Sequence, residues 1–152
     1  MNDTDIIDEI KIEIENLTSV VNELKKLLEE SKFKELSIRD KTAAGSFLAQ
    51  FYNGIENILK RICKLKKVEL PKDELWHLKL FKMFCQPQHK NLPLLFDKSL
   101  ENDFASYRRF RHIVHHGYGF QLKWEIMKEG ISKIDYVFNL FCEKLERFLT
   151  SI

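Results

Sequence analysis

Apolar residues repeat at intervals of three and four along most of this chain. In its first thirty residues they stand at Ile7, Ile10, Ile14, Leu17, Val21, Leu24 and Leu28. Such intervals return to one face of an α-helix, which turns once in about 3.6 residues. The spacing predicts a long amphipathic helix that starts at the polar residues Asn2, Asp3 and Thr4, with acidic side chains in its first turns, where the helix dipole favours them.

The same periodicity predicts the remaining helices. A second helix begins after Ser37, with a stripe at Ala44, Leu48, Phe51, Ile55, Ile58 and Ile62. A third opens at Pro71, a favourable first helical residue, and ends near Cys85, with Leu75, Leu78 and Phe81 buried. After a loop at residues 86–93, a fourth carries Phe104, Tyr107, Phe110 and Val114 until Gly117, Tyr118 and Gly119 interrupt it. The last starts at about Lys123, with a stripe at Met127, Ile131, Ile134, Phe138, Phe141, Leu145 and Phe148.

No segment alternates with period two over a convincing length, so no strand is predicted. We therefore predict an all-α fold, an antiparallel bundle of four to five helices in a single domain over residues 1–152. The heptads of residues 7–28 could instead form a coiled-coil dimer. Three heptads are short for that purpose, and the Phe-rich last helix needs partners within the chain, so the intramolecular bundle is favoured.

Several classes of protein are excluded by composition. No apolar run approaches the roughly 18–20 residues of a membrane span. The N-terminus is acidic and no apolar stretch follows it, which is unlike a secretory signal. The three cysteines, Cys63, Cys85 and Cys142, are odd in number and far apart, as expected of reduced thiols. We expect a cytoplasmic protein without a membrane partner.

The net charge of +2 conceals a segregation of charge along the chain. Residues 1–30 contain nine acidic and three basic side chains, whereas the 21 residues between Asp103 and Glu125 contain no acid. That acid-free segment holds Arg108, Arg109, Arg111, Lys123 and three of the five histidines, and a second basic run holds Lys60, Arg61, Lys64, Lys66 and Lys67. Either these are solvated helix faces or part of the surface binds a polyanion. In the second case Arg108, Arg109 and Lys123 contact phosphates.

Arginine and histidine are concentrated between Arg108 and Tyr118. A cluster without acids or cysteines is poor for a metal but suited to a phosphodiester, since histidine exchanges protons near neutral pH and arginine holds phosphate oxygens in pairs. Cys85 and His89 offer half a metal site with no second pair, and no Gly-rich phosphate loop is present. We therefore expect no metal and no cofactor.

Four residues separate Arg111 from His116, and one residue separates His116 from Tyr118. This spacing resembles the Arg-x4-His-x-Tyr motif of HEPN-domain proteins. With polar His112 directly after the arginine, the chain is most similar to the HepT-like toxins over nearly its whole length. The resemblance implies a homodimer whose two motifs face each other. It also implies a metal-independent endoribonuclease toxin, with transfer RNA among the substrates known in the family. Its partner would be an MNT-type nucleotidyltransferase antitoxin that transfers AMP from ATP to Tyr118.

The residues themselves fit such chemistry. RNA can be cut without metal when a base deprotonates the ribose 2′-OH, which then attacks the adjacent phosphate. His116 would act as base or acid, Arg111 would stabilise the transition state, and His112 would orient these groups or contact phosphate. A second facing motif would supply a second histidine, which fits a two-fold dimer.

Helical spacing leaves one ambiguity in this assignment. Arg111 and His115 share a helix face, whereas Arg111 and His116 are about 140° apart. The motif favours His116, with His115 in support.

Other interpretations remain open from sequence. The chain could be a non-catalytic HEPN subunit that binds a nucleotidyltransferase, or a coiled-coil adaptor, although the adaptor leaves the basic cluster unexplained. Outside the cluster, Glu56 is expected to form a helix ion pair with Lys60, and Trp76 and Trp124 to anchor helix packing.

Overall fold

Five α-helices build the structure, a computed structural model that describes residues 2–117 and 123–152. They are α1 (Asp3–Glu30), α2 (Ile38–Leu65), α3 (Trp76–Lys82), α4 (Lys98–His116) and α5 (Trp124–Thr150). Within these ranges no strand forms, and Cys85 and Phe96 make an isolated β-bridge. The prediction of an all-α bundle is confirmed.

Helices α1 and α2 form an antiparallel pair. Arg61 Nε near the end of α2 donates to Glu9 Oε2 near the start of α1 at 3.0 Å. Midway along the pair, a Cβ at Gly54 would overlap the side chain of Leu17. The absence of a side chain at Gly54 thus lets the two helices approach closely.

The segment between α2 and α4 returns the chain so that α4 lies along α2 in the same direction. Phe51 of α2 contacts Phe104 and Tyr107 of α4, with ring centroids 6.0 and 5.2 Å apart. Further along both helices, Arg111 reaches Asn53. A long crossover of this kind, containing α3, brings the C-terminal end of α4 against the middle of α2.

Helices α4 and α5 are antiparallel, and their backbones approach each other closely at Gly130. The Tyr107 hydroxyl donates to the Gly130 carbonyl at 2.7 Å, and a Cβ at Gly130 would lie 2.8 Å from Phe110 Cε2. Phe110 therefore packs directly against the backbone of α5. Because this side of α4 is held against α5, the opposite side of α4 points away from the core.

The buried stripes of α2 and α5 are those predicted from the sequence. In α1 the burial is shifted, since Ile6 and Leu27 are buried while Ile7 and Leu28 are only partly covered. The burial thus lies one residue earlier than predicted at both ends of the stripe.

Helix α3 is shorter than predicted. It begins at Trp76 rather than Pro71, because the Asp73 side chain accepts from the Leu75 backbone N–H at 3.0 Å and holds the preceding residues in a turn. Leu75, expected in the core, is 61% exposed, and Leu80 is buried instead. In the part of the chain described here, no helix has both the length and the apolar character required to cross a membrane.

Candidate functional site

Helix α4 presents two different faces. Its N-terminus is capped by Asp97, whose Oδ1 accepts from the Leu100 backbone N–H at 2.8 Å, and this bond holds the pKa of that carboxyl below its usual range. Phe104, Tyr107 and Phe110 are buried on the inner face. The outer side of the last two turns carries the exposed cluster residues Arg109, His112, His115 and His116.

Arg111 lies at the border between these faces and is held by α2. Its Nε is 2.5 Å from Asn53 Oδ1 and 3.5 Å from Glu56 Oε1. Asn53 and Glu56 are one helical turn apart on α2, so both reach the same guanidinium. The contacts use Nε, the nitrogen nearest the chain, and a guanidinium can also hold phosphate in a bidentate manner through its two outer nitrogens.

Glu56 is the buried charged residue of this region, with 3% of its surface exposed. Its Oε2 lies 2.7 Å from Nδ1 of His77 in α3, and its Oε1 faces Arg111. The predicted ion pair with Lys60 is wrong, because Lys60 Nζ lies over the Trp76 ring, 4.5 Å from its centroid. A carboxylate removed from water needs close partners, which Arg111 and His77 provide from other helices.

Two of the α4 histidines form a pair, and the third, His115, lies near them. The rings of His112 and His116 lie 4.5 Å apart between centroids. Partial removal of the ring from water lowers the pKa of His115, and the charges of Arg111, His116 and His77 lower it further. His115 is thus within electrostatic reach of Arg111, as its spacing predicts. Which histidine exchanges the proton, His115 or His116, stays a prediction.

A cleft of about 410 Å³ opens between α3 and α4. Its polar lining consists of Arg108, Arg109, Arg111, His112, His77 and Glu74. The cluster is therefore acid-free along the sequence but not in space, because folding brings Glu56 and Glu74 to it from other segments. Sequence reasoning did not identify these two acids and His77 as site residues.

One signal in the sequence could have identified Glu56. It stands among apolar residues of α2, four residues after Tyr52 and three before Leu59, both of which are buried. A carboxylate on a buried face requires a partner of its own. No comparable signal marks His77, whose helix is short.

The predicted phosphate-binding residues lie in different environments. Arg109 and Lys123 are exposed, whereas Arg108 is half-buried with its guanidinium carbon 5.5 Å from the centroid of the Phe81 ring. In the second basic run, Arg61 is paired with Glu9 and Glu13 of α1. Tyr118, the predicted site of modification, lies outside the described residues.

The cysteine thiols of the core have raised pKa values. Burial raises the pKa of the Cys85 thiol to about 12 and that of Cys63 to about 11, so both are protonated at neutral pH. Within residues 2–117 and 123–152, no group of three or more histidine, cysteine, aspartate or glutamate side chains is placed to hold a metal ion.

Comparison with known proteins gives one finding. A family model described as HepT-like protein matches residues 43–152. The match includes all of α3, α4 and α5 and every residue that lines the cleft. Neither the curated proteins nor the solved structures give a match.

Proposed function

The chain belongs to the HepT-like protein family, and from this premise we propose that it is a metal-independent endoribonuclease toxin of the HEPN type. The observation that carries the proposal is the anchored position of Arg111. Asn53 and Glu56 hold its Nε beside three α4 histidines and an open cleft. A cation fixed beside proton-exchanging groups is the arrangement that phosphodiester transfer requires.

In the proposed reaction the RNA phosphate docks on the outer edge of Arg111. The ribose 2′-oxygen forms a bond to phosphorus while the bond to the 5′-oxygen breaks, giving a 2′,3′-cyclic phosphate and a 5′-hydroxyl. His116 exchanges a proton with one of these oxygens, with His112 and His115 in supporting positions. Arg111 stabilises the negative charge that grows on the phosphoryl oxygens.

Binding of the RNA strand is assigned to the basic residues around the cleft. Arg109 and Lys123 are exposed and can reach phosphates, and Arg108 lines the cleft. Transfer RNA is the substrate class that we propose on the basis of family membership. No cofactor is invoked at any step.

The proposed active form is a homodimer whose two Arg111–His116 motifs face each other. Its proposed partner is an MNT-type nucleotidyltransferase antitoxin that transfers AMP from ATP to Tyr118. The added phosphodiester would pair with Arg111 and occupy the position of the RNA phosphate, as phosphorylation does at an arginine cluster.

The test is cleavage of transfer RNA by the purified protein in excess EDTA. We expect products ending in a cyclic phosphate, and loss of cleavage in Arg111→Gln and His116→Ala with unchanged helical circular dichroism. If His115→Ala is inactive and His116→Ala active, the proton-transfer role belongs to His115. Wild-type protein that binds RNA without cutting it would support a non-catalytic subunit instead.

A further inference from the structure

The pair formed by Glu56 and His77 has no role in the motif on α4. Glu56 contacts Arg111 with one carboxylate oxygen and His77 with the other, at 3.5 and 2.7 Å. One buried carboxylate therefore ties a histidine of α3 to the cation of the proposed active site. His77 itself is not enclosed, since 28% of its side chain is exposed and it lines the cleft.

The contact determines which nitrogen of His77 carries its proton. A carboxylate only accepts hydrogen bonds, so Nδ1 must donate to Glu56. In the neutral ring the lone pair then lies on Nε2, the other ring nitrogen. Because His77 lines the cleft and part of its side chain is exposed, Nε2 is the ring nitrogen left for a group bound there. Carboxylates orient the imidazole in the same way in hydrolases that use a histidine base.

Two further contacts restrain the His77 ring. The ring of Trp76 lies against it, with centroids 3.4 Å apart, and Lys60 covers the same indole. A side chain held on one edge and one face is already oriented before substrate binds. Orientation of this kind contributes to catalysis because less freedom is lost on reaching the transition state.

We propose that His77 is a further catalytic residue, which accepts the proton of the ribose 2′-OH at Nε2, and that Glu56 is its positioning residue. This inference rests on the proposed ribonuclease function. It assigns the second proton-transfer group to the same chain as Arg111, so that His116 serves as the proton donor.

The step balances without a co-reactant. The 2′-OH proton moves to His77 Nε2 as the 2′-oxygen bonds to phosphorus. The bond from phosphorus to the 5′-oxygen breaks, and that oxygen takes a proton from His116. The His77 imidazolium formed beside the Glu56 carboxylate then releases its proton to water, and His116 is reprotonated from water.

The decisive variant is His77→Asn, since the asparagine amide nitrogen occupies the position of Nδ1 and still donates to Glu56, whereas Nε2 is removed. We expect the cleavage rate to fall by roughly 10²–10⁴-fold, the usual contribution of a general base. KM and the melting temperature should stay close to the wild-type values. His89→Asn is the matched control, because His89 is exposed in the loop after α3 and outside the cleft.

A second measurement separates a proton acceptor from a structural residue. In a substrate whose leaving 5′-oxygen is replaced by sulfur, the sulfur leaves as a thiolate without being protonated. With that substrate His116→Ala should regain most of its missing rate, while His77→Asn should stay slow. Imidazole added to His77→Ala should restore cleavage, which it would not do for a residue that only packs.

Two results would overturn the inference while leaving the ribonuclease intact. One is a His77→Asn protein that cuts RNA within about threefold of the wild-type rate. The other is recovery of His77→Asn on the sulfur substrate, which would make His77 a proton donor. Wild-type protein that fails to cut any RNA would instead remove the proposed function, and the role of His77 with it.

Discussion

Arg111 Nε lies 3.5 Å from Glu56 Oε1, across the interface between α4 and α2. The cation of the proposed active site is thus oriented by a carboxylate that is almost wholly removed from water. A charge buried to this degree is costly unless its partners stay in place. The stability of the bundle and the geometry of the site are therefore coupled at Glu56.

Removal of this carboxylate should destabilise the protein. Glu56→Ala leaves His77 Nδ1 without its acceptor and Arg111 without its ion-pair partner, and we expect the free energy of unfolding to fall by about 1–3 kcal/mol. Urea titration followed by circular dichroism measures the change. Glu69→Ala is the control, since its ion pair with Lys72 is exposed and should contribute about 0–1 kcal/mol. Equal effects of the two variants would contradict the structural role of Glu56.

His115 should titrate below its ordinary pKa of 6.5. Partial desolvation disfavours the imidazolium of His115, and Arg111→Gln should raise its pKa partway by removing a neighbouring positive charge. NMR titration of the ring carbon-bound protons measures both values, with Arg39→Gln at the exposed start of α2 as control. Because the folded-state pKa is the lower one, stability from this group declines as the pH falls through 6.5 toward the folded-state value. If Arg111→Gln leaves the pKa of His115 unchanged, the charge of Arg111 does not act on His115.

RNA binding should weaken as salt rises. Removing one phosphate-binding cation should reduce the slope of log affinity against log salt by about 0.7 for single strands. Arg109→Gln removes an exposed cation that lines the cleft, so both affinity and slope should fall for all sequences. Fluorescence anisotropy with inactive His116→Ala protein measures both, and Arg39→Gln should leave the slope unchanged. Affinity that does not respond to salt would argue against phosphate binding by this cleft.

Dimerisation is expected at micromolar concentration. In the proposed active form the motifs of two chains lie opposite each other, and the end of α4 that carries each motif is exposed. Sedimentation equilibrium should give twice the 18.2 kDa mass of the chain. A species of 18.2 kDa alone, at concentrations where RNA is cut, would show that one chain is sufficient.

Modification of Tyr118 should silence the enzyme. Incubation with ATP and the cognate nucleotidyltransferase should add mass in units of AMP and abolish RNA cleavage. Tyr118→Phe should still cut RNA and escape silencing, whereas Tyr136→Phe, which alters a tyrosine that is 64% exposed on α5, should be silenced like the wild type. Silencing of Tyr118→Phe would mean that the antitoxin acts by binding alone.

Local sequence determined the helices. Apolar spacing predicted the buried faces of α2 and α5 because helical periodicity depends on residues three and four apart. Helix α2 begins after Ser37 as predicted, and the Ser37 hydroxyl accepts from the Asp40 backbone N–H at 3.1 Å. The resemblance to the HepT-like family is confirmed by the family match over residues 43–152. These features can be predicted without knowing how the helices pack.

Tertiary structure alone decided which polar groups meet. Glu56 is 21 residues from His77, and Asn53 is 58 residues from Arg111. Spacing along α2 favoured Lys60 as the partner of Glu56, but the ammonium of Lys60 lies over the Trp76 ring instead. The free energy of burying the Glu56 carboxylate selects Arg111 and His77, and their approach depends on how α3 and α4 pack against α2. Periodicity indicates which face of a helix is buried, whereas the packing of separate helices determines which side chain lies opposite that face.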